Sequence, residues 1–110
     1  MQKCDLLYLN LSFIEQHYSE DISIEDISSF CGLNRSYFSK VFRDTMGESP
    51  QGFLLHYRMA RAAQLLTEGR LPISTISTMV SYPNQLHFSR AFKNVYGISP
   101  RDYRAKHLAL

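Results

Sequence analysis

The sequence has 110 residues, which suffices for one small domain or for two very small ones that share a connecting element. Apolar residues make up 45% of it, but no apolar run approaches the roughly 20 residues that a membrane span needs. The net charge of +2 is uneven, because residues 1–50 hold four basic and eight acidic side chains (net −4) and residues 51–110 hold eight basic and two acidic ones (net +6). Basic charge gathered on part of a chain is expected of a protein that binds a polyanion.

The cysteines and the N-terminal residues exclude several other classes. Cys4 and Cys31 lie far apart, and neither has a Cys or His beside it at metal-ligand spacing. This pattern disfavours a disulfide framework and a zinc site. The start of the chain lacks the basic-then-apolar layout of a signal peptide. We expect a cytoplasmic protein with reduced thiols, no metal, no cofactor and no membrane partner.

Two helices and a turn are predicted first. Residues 5–18 form an amphipathic pattern whose apolar stripe consists of Leu6, Leu9, Phe13 and Ile14. The segment Ser23-Ile24-Glu25-Asp26 fits a capping box, which begins a short helix that ends at Phe30. Gly32 is predicted to form the turn, since glycine adopts the positive φ that follows many helix ends.

The next two helices are also delimited by their capping residues. Asn34 can cap a helix that runs to about Thr45 and is stopped by Gly47. Ser49 and Pro50 then begin a helix, because proline is well tolerated at the first helical position. This helix is rich in good helix formers and is predicted over residues 50–67. No Gly/Ser-rich stretch separates the two halves, so a helix is their only connection.

The second half predicts the same arrangement again. A short helix runs from Ile73 to Val80, a turn follows at Ser81-Tyr82-Pro83, and a longer helix runs from Asn84 to Tyr96. The segment Ser99-Pro100-Arg101-Asp102 begins the last helix with another capping box. The prediction is therefore an all-α protein with about seven helices and no strands.

The chain contains an internal repeat at an offset of fifty residues. Phe38-Ser39-Lys40-Val41-Phe42 returns as Phe88-Ser89-Arg90-Ala91-Phe92, and Ser49-Pro50 returns as Ser99-Pro100. Such a duplication indicates two copies of one supersecondary unit. Here the unit is a short helix, a turn and a second helix, which is the pattern of a helix-turn-helix that enters a DNA groove.

The second helix of each copy has two opposite faces. The apolar face is expected to be core and consists of Phe38, Val41, Phe42 and Thr45 in the first copy and Phe88, Ala91, Phe92 and Val95 in the second. We call the opposite sides the first and second recognition faces. The first consists of Arg35, Ser36, Ser39, Lys40 and Arg43; the second consists of Gln85, Leu86, Ser89, Arg90 and Lys93. Neither contains an acidic residue, and their short polar and long basic side chains suit base reading and phosphate binding.

These motifs resemble the DNA-binding domain of the AraC/XylS family of bacterial transcription regulators, over nearly everything from Leu6 to Arg104. The most specific elements are 88–93 and 97–104. The resemblance implies two helix-turn-helix, homeodomain-like subdomains joined by a long linker helix. Their expected bounds are 1–49 for the first subdomain, 50–68 for the linker helix and 69–110 for the second subdomain.

The resemblance also implies sequence-specific binding of double-stranded DNA, with base-facing positions at Arg35, Ser36, Ser39 and Lys40 and at Gln85, Leu86, Ser89 and Arg90. We expect Lys40 and Arg90 to contact guanine, and Arg43 and Lys93 to contact phosphates. The two recognition helices should enter successive major-groove segments, which lie ~34 Å apart on one side of a duplex. Family members commonly contact RNA polymerase, and they normally carry a separate sensing or dimerisation domain, which we expect to lie outside this sequence.

One turn departs from the family pattern. Ser81-Tyr82-Pro83 stands where the family usually has Gly-Phe followed by a small polar residue. We expect Ser81 to adopt the turn at some conformational cost, and Tyr82 to fill the core.

Two other functional classes are alternatives to DNA binding. An enzyme is disfavoured, because the four histidines are scattered and the sequence lacks a Ser/His/Asp order, a Gly-rich phosphate loop and a helical histidine pair. The alternative is a helical protein-interaction module that contacts the transcription machinery without reading DNA directly, and the acidic first half is compatible with it.

Overall fold

The computed structural model describes residues 3–108, with side chains from residue 8 onward. This part of the chain contains seven α-helices and no strand: α1 (Lys3–His17), α2 (Ile24–Phe30), α3 (Arg35–Met46), α4 (Pro50–Glu68), α5 (Ile73–Met79), α6 (Gln85–Tyr96) and α7 (Pro100–His107). The all-α prediction is confirmed. The side chains of Cys4 and Leu6 lie outside the described ones. None of the helices in the described range is long and apolar enough to cross a membrane.

The helices pack into two units. The first unit ends at Leu55 and contains α1, α2, α3 and the start of α4; the second begins at His56 and contains the rest of α4 with α5, α6 and α7. The division therefore falls inside α4, the helix that was expected to link two subdomains.

Side-chain caps begin the helices at the predicted residues. The Ser23 hydroxyl accepts a hydrogen bond from the Asp26 N–H (3.1 Å), and the Asp26 carboxylate accepts one from the Ser23 N–H (2.8 Å), so the capping box before α2 is complete. Before α7, Ser99 Oγ accepts from the Asp102 N–H at 3.1 Å. The return bond of a second capping box is absent from the hydrogen bonds described for this helix, so that box is only half formed.

The backbone of the two helix-turn-helix segments follows one pattern. Matching hydrogen bonds join Cys31 N to Ile27 O (3.1 Å) and Leu33 N to Ser28 O (2.9 Å), and then Val80 N to Ile76 O (3.1 Å) and Tyr82 N to Ser77 O (2.9 Å). The offset between the copies is 49 residues up to this turn and 50 after it, because Pro83 lengthens the second turn by one residue.

Aromatic pairs form the centre of both units. The Phe38 and Phe42 ring centroids are 5.8 Å apart, and those of Phe88 and Phe92 are 5.9 Å apart. A ring from the following helix meets each pair edge-on: Phe53 at 5.5 Å from Phe42, and Tyr103 at 5.3 Å from Phe92. The prediction that the whole apolar face of α3 is buried was wrong at the last residue of that face. Thr45 is exposed, since it lies in the last turn of the helix and its polar side chain gains little from burial.

Candidate nucleic-acid interface

The core phenylalanines set the rotation of α3 and thereby expose the first recognition face. Phe38 and Phe42 are 0% and 2% exposed. On the opposite side of the helix the long and polar side chains reach solvent, namely Arg35, Ser36, Lys40 and Arg43, while Ser39 is half-buried. A surface of this kind can approach a groove closely at Ser36 and Ser39, and can reach further with Lys40.

The second recognition face is arranged in the same way on α6. Phe88 and Phe92 are both 0% exposed. Gln85, Leu86, Arg90 and Lys93 are exposed, and Ser89 is half-buried like its counterpart in the first unit. Leu86 is 58% exposed although it is aliphatic. An exposed aliphatic side chain of this kind fits contact with a thymine methyl group.

Asparagine caps hold the first turn of both recognition helices. Asn34 Oδ1 accepts a hydrogen bond from the Tyr37 N–H at 2.9 Å. Asn84 Oδ1 accepts from the Leu86 and His87 N–H groups at 2.9 and 3.3 Å. These bonds satisfy N–H groups that the helix itself leaves unpaired. They also fix the turn that carries the first base-facing positions.

The turns before the recognition helices have similar backbones but different residues. Gly32 has φ 74°, and Ser81 takes nearly the same conformation with φ 69°. The Ser77 hydroxyl donates to the Tyr82 carbonyl oxygen at 2.5 Å, which ties α5 to the second turn. The Tyr82 ring lies 6.1 Å from the Phe88 ring and is half-buried. The left-handed Ser81 is confirmed. Tyr82 packs near Phe88 but stays half-buried, so it fills the core only in part.

Acidic side chains adjoin the first recognition face, which sequence reasoning missed. A shallow cavity of about 290 Å³ is lined by Ser39, Lys40, Arg43 and Asp44. Asp44 lies one turn after Lys40 and therefore on nearly the same side of α3. The Arg35 guanidinium is 3.5 Å from the Glu25 carboxylate, and both side chains are largely exposed. The first recognition face itself contains no acidic residue, but Asp44 and Glu25 lie beside it. In the second unit Asn94 replaces Asp44, and α6 contains no acidic residue.

Two further residues have roles that the sequence did not indicate. The Arg104 guanidinium donates to the Leu66 and Leu71 carbonyl oxygens at 3.2 and 2.5 Å, which joins α7 to the end of α4 and to the loop after it, within the second unit. Asn10 is 0% exposed, and its amide has no hydrogen-bond partner in the described structure. Asn10 precedes Phe13 and Ile14 by three and four residues, which places it on the apolar side of α1. Its burial could have been predicted from this spacing.

Cys31 is part of the core rather than of the candidate interface. It is 3% exposed at the end of α2. Burial raises the pKa of its thiol, since desolvation disfavours the thiolate. A protonated, buried thiol packs as a small apolar side chain.

Comparisons with known proteins agree with this geometry. A family model described as a helix-turn-helix domain matches residues 27–106. The chain belongs to the AraC-type helix-turn-helix family. Over 93 residues it is 36% identical to a probable transcriptional regulator, LumQ, of Photobacterium leiognathi, a match that covers 84% of this chain and 38% of that protein.

Solved structures share the fold of this AraC-type chain. The C-terminal domain of AraT, a response regulator from Geobacillus stearothermophilus, superposes with a TM-score of 0.90 at 32% identity, covering 96% of this chain and 88% of that one. The DNA-binding domain of AdpA, solved in complex with a target DNA, has the same fold with a TM-score of 0.86 at 22% identity, covering 92% and 90%. The chain spans 38% of the length of LumQ and 33% to 35% of three other curated relatives.

Proposed function

We propose that this AraC-type domain binds double-stranded DNA sequence-specifically, as the DNA-binding part of a bacterial transcription regulator. The observation that carries the proposal is the repeated recognition face. Each unit buries two phenylalanines on one side of a helix and exposes a basic and polar surface on the other. Because the core positions and the exposed basic positions recur together, the repeat preserves the surface as well as the fold.

The side chains of the two faces divide into base-contacting and phosphate-contacting groups. Lys40 and Arg90 are assigned to guanine, whose O6 and N7 atoms accept hydrogen bonds in the major groove. Leu86 is assigned to a thymine methyl group. Arg43 and Lys93, one turn further along each helix, are assigned to phosphates. The remaining base-facing positions are also assigned to contacts with bases. They are Arg35, Ser36 and Ser39 on α3 and Gln85 and Ser89 on α6.

The two recognition helices are proposed to enter successive major-groove segments of one duplex. In this proposal residues 1–49 and 69–110 form the two DNA-contacting subdomains, and residues 50–68 form the helix that connects them. A connection of fixed length favours one spacing between the two contacted segments. If that spacing is shorter than one helical turn, the duplex must bend, and the stiffness of the DNA sequence then contributes to specificity.

The regulator is proposed to act in the cytoplasm together with RNA polymerase and a separate sensing or dimerisation domain. The support is that the chain matches only 38% of the length of LumQ and about a third of other relatives. Promoter binding brings a regulator next to RNA polymerase, and the part of the relatives that this chain does not match leaves room for a further domain.

Titration of the purified domain against random-sequence duplex DNA at two salt concentrations tests the proposal. Each phosphate contact contributes about −0.9 to the slope of log K against log salt concentration. Arg43→Ala and Lys93→Ala should each reduce the steepness of that slope by about one contact, while Lys106→Ala, at the far end of α7, should leave it unchanged. Absence of binding at low salt would support the protein-interaction module instead.

A further inference from the structure

The first unit carries a second open site that shares no residue with the first recognition face. It is a groove of about 610 Å³ beside α1 and α2, and its lining includes Phe13, His17, Glu20, Asp21, Asp26 and Phe30. The DNA-binding proposal uses none of these side chains. The groove therefore needs an explanation of its own.

Aromatic rings form the apolar part of this groove. The Phe13 ring centroid lies 4.9 Å from that of Phe30 and 4.6 Å from that of His17. Phe30 is 51% exposed, although it ends a short helix whose other apolar residues, Ile24 and Ile27, are buried. A large exposed ring beside a second aromatic ring is the kind of apolar surface that marks an interaction site.

The rest of the lining is acidic. Glu20, Asp21 and Asp26 border the groove, and no lysine or arginine is among the described residues that line it. Among the described residues that line it, His17 is the one basic side chain, and its Nδ1 lies 2.6 Å from Glu20 Oε2. An aromatic centre with carboxylates around it complements an apolar side chain flanked by cations.

In the second unit an apolar side chain lies against the residue that corresponds to Glu20 of the groove. Glu20 N bonds to His17 O (2.9 Å), and 49 residues later Gly69 N bonds to Leu66 O (3.1 Å), so Gly69 occupies the position of Glu20. The Leu108 side chain lies directly against Gly69, where it would collide with any Cβ. Leu108 follows the last turn of α7, which carries Arg104, Lys106 and His107.

We propose that the groove of the first unit binds a basic segment of a partner protein. An aliphatic side chain of that segment packs against Phe13 and Phe30, and its cationic side chains lie against Glu20, Asp21 and Asp26. In the second unit an aliphatic side chain of the same chain, Leu108, follows a basic helical turn and lies against Gly69. This docking site is independent of the DNA contacts.

The probe for a test is a fluorescently labelled peptide with the sequence of residues 100–110, whose binding to the full chain is followed by anisotropy. Phe30→Ala should weaken peptide binding at least tenfold, because the exposed ring is the main apolar contact. Asp21→Lys should weaken it severalfold, and 500 mM salt should weaken binding to the unaltered chain as well. Met79→Ala is the matched control, since Met79 ends α5 as Phe30 ends α2, and it should have no effect.

Two results would overturn the docking proposal. One is a peptide that fails to bind a chain whose DNA affinity is intact. The other is equal binding by a peptide in which serine replaces Leu108 and glutamate replaces the basic residues. Thermal unfolding and DNA titration of Phe30→Ala and Asp21→Lys separate a folding defect from a docking defect. Phe30→Ala should keep the DNA affinity of the unaltered chain, and Asp21→Lys, which adds positive charge, should not lower it.

Discussion

The two units share their cores and differ in their charge. The central phenylalanine pairs have nearly the same separations, 5.8 and 5.9 Å, and both recognition helices are capped by asparagine and end at a left-handed glycine. Residues 1–50, in contrast, have a net charge of −4, and residues 51–110 have +6. The two copies share the phenylalanine core and an exposed recognition face on one helix. They differ in the charge of the residues around that face.

This difference suggests unequal contributions to DNA binding. Glu25 lies 3.5 Å from the Arg35 guanidinium, and Asp44 borders the cavity that Lys40 and Arg43 line. The second unit has Ser74 and Asn94 at the positions that correspond to Glu25 and Asp44, and neither carries a charge. A nearby carboxylate lowers the attraction of a basic face for phosphate. We therefore expect the second unit to supply the larger share of the affinity for DNA.

The largest expected effect is a change in the free energy of unfolding when a buried residue of either core is replaced. Asn10 is buried without a partner in the described structure, and Met59, 49 residues later, is buried at 0% exposure. Asn10→Leu, similar in shape but apolar, should raise the free energy of unfolding by about 1–3 kcal/mol, since it removes an unsatisfied buried amide. Met59→Asn should lower it by about 3–5 kcal/mol. Urea unfolding measures both, and a less stable Asn10→Leu variant would show that the amide is satisfied in solution.

The next effect separates the two recognition faces. Arg90→Ala should cost about 1–3 kcal/mol of DNA affinity and relax the preference at one base pair. Lys40→Ala should cost less, because carboxylates already reduce the positive potential of its face. Titration of each variant against a specific and a random duplex provides the comparison. Equal weakening on both duplexes would remove Arg90 from the base-reading residues, and a larger loss for Lys40→Ala would reverse the proposed order of the units.

A smaller effect is expected at the two turns. Ser81 has φ 69° without being glycine, so Ser81→Gly should stabilise the chain by about 0.5–1 kcal/mol. The matched change is Gly32→Ser, where a Cβ would meet nothing within 4 Å. It should therefore cost only the backbone strain, about 1 kcal/mol. Thermal unfolding of the pair is the measurement, and opposite signs are expected; a loss of stability in Ser81→Gly would contradict the strain assigned to this turn.

The smallest effect tests the electrostatic difference directly. Asp44→Asn gives the first unit the residue type found at Asn94 and should tighten DNA binding by about 0.5 kcal/mol at low salt, where an exposed charge is weakly screened. Asn94→Asp should weaken binding by a similar factor. Both changes should fade as the salt concentration rises, and an effect of Asp44→Asn that persisted at high salt would have to arise from something other than charge.

Local features of the fold were predictable because they depend on neighbouring residues. Ser23, Asn34 and Asn84 act as caps, and Gly32 has positive φ, as their sequence positions indicated. The exposure of the recognition faces followed from helical periodicity. The burial expected of Thr45 from the same periodicity was wrong. Features that depend on contacts between distant residues were missed.

Arg104 shows why such features escape sequence reasoning. It bonds to Leu66 and Leu71, which precede it by 38 and 33 residues. The groove beside Phe30 likewise depends on how α1 packs against α2, and the proximity of Glu25 to Arg35 depends on the angle of the turn. None of these placements follows from a local pattern.

Selection of bound sites from a randomised DNA pool tests the central claim most directly. With the unaltered domain we predict two blocks of preferred base pairs, roughly one helical turn or 10–10.5 bp apart. With Lys40→Ala the preference at one base pair of one block should be lost, and with Arg90→Ala the preference at one base pair of the other block should be lost. A single block, or the same flattening of both blocks by either variant, would contradict the account in which each unit reads DNA through its own recognition face.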